Sequence, residues 1–190
     1  LAAGAQEAMN FVLRALHLVR CGSSAEHGGP VASCAPYPRD RGKFMDLVGS
    51  GRRLSSAELF TAANKLGVDV ATLRAILQVE TAGAGFDAKK RLKLLFEPHI
   101  FYRQLGPGPK QDQAVKRGLA YRKARTRPYP PLSKRYDQIA AAIAIDETAA
   151  LNSASWGLPQ IMGFNHRAAG FQSAKAMVSS MLEGGVNSLR

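Results

Sequence analysis

Residues 69–81 read Asp-Val-Ala-Thr-Leu-Arg-Ala-Ile-Leu-Gln-Val-Glu-Thr, and the placement of the rest of the chain follows from them. Leu73, Ile76 and Leu77 recur at the i, i+3, i+4 spacing of one helix face, and Asp69 stands at the N-cap. The next member of that apolar stripe is Glu80. An ionised carboxylate facing a core is costly to bury, so it either pairs with a cation or keeps its proton. Glu80 also lies at the C-terminal end of the helix, where the helix dipole disfavours negative charge. Both effects would favour a carboxylic acid still protonated near neutral pH, the group that a glycosidase uses to protonate a leaving oxygen. A glutamate turned to solvent from a frayed last turn is the competing reading, and geometry alone does not separate the two.

Upstream, Ser55-Ser-Ala-Glu58 has capping-box spacing and opens a helix expected to run to Leu66, with Gly67 at its C-terminal turn. Downstream, Gly83 and Gly85 close the Glu80 helix. The run Arg91-Leu-Lys-Leu-Leu-Phe96 then favours a strand and ends at Glu97-Pro98, with a helical turn expected from His99 to Leu105. Glu97 is the second candidate carboxylate, held at a strand end with His99 two residues on. An ordinary edge carboxylate is the bland reading. Carboxylates from a helix end and an adjacent strand would suit glycoside cleavage, and their separation, which decides retention or inversion, is not encoded in spacing.

Residues 106–136 are rich in Pro, Gly and cations, a basic surface excursion with one short helix expected around Ala114–Arg122. Tyr121, Tyr129 and Tyr136 interleave with the cations, a pattern that also suits single-stranded nucleic acid, although a solvated loop is the simpler reading. One helix is expected from Lys134 to Ala150. The segment Asn152 to His166 is too rich in Gly and polar residues for ordinary helix. It holds the only Trp of the chain, Trp156, close to Gln160, Asn165 and His166, and such aromatic and amide groups suit a sugar-binding cleft as readily as a buried Trp suits an irregular loop. A last helix is expected over Ser173–Leu182.

The 190 residues carry 26 Lys and Arg against 14 Asp and Glu, a net charge of +12. Such a field draws polyanions, whether nucleic acid, anionic membrane or the carboxylate-bearing bacterial wall, without choosing among them. No base-reading motif is present, so no specific nucleic acid is expected. No apolar run approaches the about 18–20 residues of a membrane span. Met9–Cys21 reads as an amphipathic helix that packs on a neighbour, or else meets an anionic membrane surface. It is followed by a Gly/Pro/Ser-rich linker, so residues 1–53 form an N-terminal helix and flexible linker. Cys21 and Cys34 do not have zinc-ligand spacing with His17 and His27, and two free thiols, with no metal and no cofactor, are expected.

Three separate motifs carry a family resemblance: LSSAELFTAANKLGVDVATLRAILQVETAGAGF, LKLLFEPHIFYRQL and SASWGLPQIMGFNHRAAGF. In this order and spacing they resemble the N-acetylmuramidase domain of bacteriophage endolysins, over roughly residues 54–182. The resemblance implies that Glu80 is the catalytic acid and Glu97 the second important carboxylate. It also implies that Ser155, Trp156, Gln160, Asn165 and His166, with His99 beside Glu97, line the glycan cleft. Family members continue through helices with a Tyr-Asn-Gly motif, whereas this chain ends at Arg190. Residues 54–190 are therefore expected to be a C-terminally shortened catalytic domain. The expected fold is mainly α (α+β), lysozyme-like, with a small β-hairpin element near Leu92–Phe96.

The activity so implied is hydrolysis of the β-1,4 bond between N-acetylmuramic acid and N-acetylglucosamine. A lytic transglycosylase shares a helix-end Glu followed by G-x-x-Q, here Gly157 and Gln160, and is one alternative. A cationic wall- or membrane-binding module without hydrolytic activity is the other. A monomer is expected, made in the host bacterial cytoplasm and acting on periplasmic peptidoglycan.

Overall fold

The computed structural model describes residues 47–51, 55–81, 85–124, 126–158 and 160–183, with residues 65, 66, 76, 77 and 79–81 described by backbone alone. The expected helix at Met9–Cys21 and both cysteines lie outside the described residues.

Local signals set most helix starts. Helix α1, Ser56–Leu66, opens with a complete capping box: the Ser55 hydroxyl accepts from Glu58 N–H, and the Glu58 carboxylate accepts from Ser55 N–H at 2.8 Å. It ends on Gly67 at φ 66°, a left-handed conformation that suits glycine. Helix α2, Val70–Thr81, starts after Asp69, whose Oδ1 accepts from Thr72 N–H at 2.8 Å. Leu59, Ala62 and Ala63 of α1 and Leu73 of α2 are buried where the two helices meet.

Strand β1, Leu94–Phe96, lies where a strand was expected. It is the edge of a three-stranded antiparallel sheet completed by β2, Ala154–Trp156, and β3, Ile161–Met162, in the order β1-β2-β3. Both added strands come from the segment read only as irregular. They are too short to show a period-2 pattern. In the register Leu95 pairs with Ser155, and Ser155 with Met162, so these three share one face of the sheet. Leu94, Phe96, Ala154, Trp156 and Ile161 turn the other way into the core.

Helix α3, Pro98–Leu105, follows β1 with proline in its first turn, and Phe101 packs edge-on against Phe96. Helix α4 spans Pro109–Lys116, upstream of the expected Ala114–Arg122. Pro109 fits the first turn because its missing N–H would be unsatisfied there anyway. At the other end Gly118 adopts φ 69° and donates to Val115 O, while Leu119 N–H reaches Ala114 O, a Schellman closure.

The single helix expected over Lys134–Ala150 is two, α5, Leu132–Ile143, and α6, Glu147–Asn152. Asp146 makes the break. Its backbone is extended at φ −157°, its carboxylate caps Ala149 N–H at 2.9 Å, and Lys110 Nζ holds its other oxygen at 2.7 Å. A 3-10 turn, Gly163–Asn165, follows, and then the expected last helix, α7, Ala174–Leu182, which the Ser173 hydroxyl caps. Short α6 touches α3, α5, α7 and the 3-10 turn, and Ala149, Ala150 and Leu151 of it are buried. The small sheet is thus set against one helical core, which is the mainly α, α+β architecture expected.

Candidate active site

Chain direction at the end of β1 places Glu97. Its N–H donates to Ser153 O at 2.9 Å, which continues the β1–β2 pairing by one residue. By strand alternation its side chain leaves on the same face as Leu95 and Ser155. Pro98 then starts α3, and Glu97 is its N-cap residue without a side-chain capping bond, so the carboxylate is left for other partners. The partner is Tyr129. Its hydroxyl lies 2.9 Å from both Oε1 and Oε2 and donates its one proton across the carboxylate. His99 Nδ1 lies 3.3 Å from Oε2, near enough for ion pairing with a protonated ring. The approach angle is not that of a hydrogen bond, so the buried Nδ1 has no hydrogen-bond partner among the described residues.

Beside Glu97 lies a cavity of about 380 Å³ whose wall includes Pro98, Tyr121, Arg127, Tyr129 and Lys134. The Tyr121 phenol is pushed above its ordinary pKa, first by burial and then by the Glu97 charge, with Arg127 pulling the other way. Both Tyr121 and Tyr129 therefore sense Glu97. Neither was a sequence candidate for this site. Their only signal was the alternation of tyrosines with cations, which pointed toward nucleic acid.

That stacking platform does not form. Tyr136, the third tyrosine of the series, is buried with its ring under the Arg91 guanidinium, 3.8 Å from the ring centroid. Its hydroxyl donates to Leu92 O at 3.3 Å. Its pKa is pushed up to about 12, by burial first and by Asp87 second, against the pull of Arg91.

The remaining sequence candidates fall into separate groups. Glu80 lies in the last turn of α2, and its side chain is outside the described residues. Ser155 and Gln160 meet across the β2–β3 turn. The Ser155 hydroxyl donates to Gln160 Oε1 at 3.0 Å, and Gln160 Nε2 donates to Gly157 O at 2.7 Å. Gln160 holds φ 48°, uncommon for a residue with a Cβ, so the turn is fixed by its own side chain at some backbone cost. Asn165 closes the 3-10 turn. His166 Nδ1 lies 2.9 Å from Phe171 O, and since a carbonyl can only accept, Nδ1 carries the proton and Nε2 is left as an acceptor in the neutral ring.

Trp156 corrects an expectation. Its side chain is fully buried, and Nε1 donates to Leu151 O at 2.9 Å, so it offers no face to a sugar. Its place on the core face of β2 follows from alternation with Ser155. Nearby Phe164 is 43% exposed. Among the described residues no three His, Cys, Asp or Glu side chains cluster as a metal site would need, and no helix is long and apolar enough to cross a membrane.

A helical core carrying a small antiparallel sheet, with a carboxylate at the strand end and another glutamate closing a helix, is a lysozyme-like α+β domain. The chain belongs to the N-acetylmuramidase family, whose model (Muramidase) matches residues 69–190. It is similar to the endolysin of Burkholderia phage AP3, known from a crystal structure, at 38% identity and a TM-score of 0.61. That match covers 70% of this chain and 50% of the endolysin, so the chain spans half the length of that protein. No curated protein matches the chain.

Proposed function

We propose that the chain is a peptidoglycan hydrolase of the endolysin kind, cleaving the β-1,4 bond between N-acetylmuramic acid and N-acetylglucosamine. The observation that carries this reading is the carboxylate of Glu97, fixed by Tyr129 at the end of β1 and directed to the sheet face of Leu95 and Ser155. In this reading Glu80 protonates the glycosidic oxygen, and Glu97, which accepts the Tyr129 hydroxyl proton, stabilises positive charge at the anomeric carbon or activates water. Ser155, Gln160, Asn165, His166 and His99 contact the glycan. Residues 54–190 act as the catalytic domain, with residues 1–53 as an N-terminal helix and linker.

Peptidoglycan is the substrate class that family membership implies. The net charge of +12 favours encounter with the anionic wall and, in the same way, with an anionic membrane surface. The protein acts as a monomer, is made in the bacterial cytoplasm and reaches the periplasmic wall. Digestion of purified peptidoglycan followed by mass analysis of the released sugars tests the reaction type. Reducing N-acetylmuramic ends are expected. A 1,6-anhydro product would instead identify a lytic transglycosylase, and intact glycan under tight wall binding would identify a binding module.

A further inference from the structure

The cavity beside Glu97 adjoins the proposed reacting carboxylate through Tyr129, and the rest of its wall has no part in the proposed chemistry. Pro98, Tyr121 and Tyr129 give it apolar walls, while Arg127 and Lys134 bring cations to its rim with Asp137 among them. Among the described residues neither Arg127 nor Lys134 forms an ion pair or a side-chain hydrogen bond. Tyr129 is shared, with its ring in the cavity wall and its hydroxyl on Glu97. Whatever occupies the cavity therefore lies one tyrosine away from the proposed reacting centre. At about 380 Å³ the space is in the range of small-ligand pockets and takes a few amino-acid residues.

We propose that this cavity receives the acidic peptide stem that hangs from the lactyl group of N-acetylmuramic acid, a reading that rests on the peptidoglycan hydrolase assignment. The stem matches the cavity in each kind of group it carries. Alanyl methyls suit the proline and tyrosine faces, and free carboxylates suit Arg127 and Lys134, where charge-assisted hydrogen bonds are the strong ones. In stems built on a diamino acid the extra ammonium has Asp137 to meet. Because the stem branches from the sugar itself, a cavity adjoining the cleaving carboxylate can hold the stem of a muramic residue seated in the cleft. Binding there selects stem-bearing glycan over bare glycan and sets its register.

The test compares two substrates, intact uncrosslinked glycan strands and the same strands stripped of peptide by an amidase. It uses the wild-type chain and the double variant Arg127→Gln, Lys134→Gln. Both residues are exposed, so folding is not at risk. The wild type is expected to favour stem-bearing strands in kcat/KM, and the variant to lose about tenfold on those strands, mostly in KM, with stripped strands unchanged. Equal cleavage of both substrates by the wild type, or an equal loss on both in the variant, would overturn the proposal.

If neither substrate were cleaved, the hydrolase reading would fail by itself. The cavity would then be judged by titrating the free stem L-alanyl-γ-D-glutamyl-meso-diaminopimelyl-D-alanine while following the Tyr121 and Tyr129 ring resonances. Shifts in the wild type that vanish in the double variant support the site, and no shift at millimolar peptide refutes it.

Discussion

Replacing Trp156 by Phe separates a structural role from a sugar-binding one. The side chain is fully buried, and its Nε1 donates to Leu151 O at 2.9 Å. Loss of a buried hydrogen bond costs about 1 kcal/mol net, and more when the abandoned carbonyl stays dry. The smaller ring leaves a void of roughly 40 Å³, which at about 24 cal/mol per Å³ adds about 1 kcal/mol to a similar transfer loss. The sum is about 3 kcal/mol, which lowers the thermal midpoint of a domain of this size by about 10 °C. Thermal unfolding followed by circular dichroism reads that shift. Specific activity measured well below the midpoint, per folded molecule, should stay within about twofold of wild type, since no sugar contact is removed. An unchanged midpoint with activity lost as fully as in a carboxylate variant would refute the reasoning and return Trp156 to the cleft.

A Cβ at Gly163 would overlap the carbonyl oxygen of Leu151, a backbone atom that cannot yield cheaply. Gly163→Ala should therefore cost about 3 kcal/mol or more in a urea titration. Asp146→Ala removes the cap that separates α5 from α6 and should cost about 1 kcal/mol at pH 7. The Asp146 pKa is held below its usual 3.8, first by Ala149 N–H and next by Lys110, with burial opposing. Acid thus protonates this group in the unfolded chain before the native one. The advantage of wild type over Asp146→Ala should be full above about pH 5 and fade as the pH falls through 3.8 toward the lowered native value. Tyr129→Phe takes the proton donor from Glu97. With Tyr129 42% exposed, water replaces part of the loss, so kcat should fall about fivefold with KM and unfolding midpoint little changed. An unaltered kcat would detach Tyr129 from the reaction.

Helix starts were legible in the sequence wherever a short polar side chain caps its own turn. Ser55, Asp69 and Ser173 each accept the backbone N–H three residues on, and each helix begins where the spacing placed it. The break at Asp146 follows the same rule but was hidden inside the apolar run Ile139 to Leu151, where a periodic pattern reads straight through. Strand β1 was visible as an apolar run, whereas β2 exists because β1 offers it a hydrogen-bonding edge and β3 because β2 offers the next, which is tertiary information. For the site, the chain-local positions of Glu80 and Glu97 could be read from helix end and strand end. The contact from Tyr129 to Glu97 spans 32 residues and has no local signature. Burial of Trp156 rather than exposure was decided by the parity of a three-residue strand, and only the register fixes that parity.

In the proposed mechanism two carboxylates act on the glycan, Glu80 on the last turn of α2 and Glu97 at the end of β1. Clearing of purified peptidoglycan should be followed for wild type, Glu80→Gln and Glu97→Gln, with unfolding midpoints measured alongside. Native-like midpoints are expected, with at least about 100-fold slower release of reducing ends in Glu80→Gln and a loss of similar order in Glu97→Gln. Wild-type rates in a well-folded Glu80→Gln would contradict the mechanism.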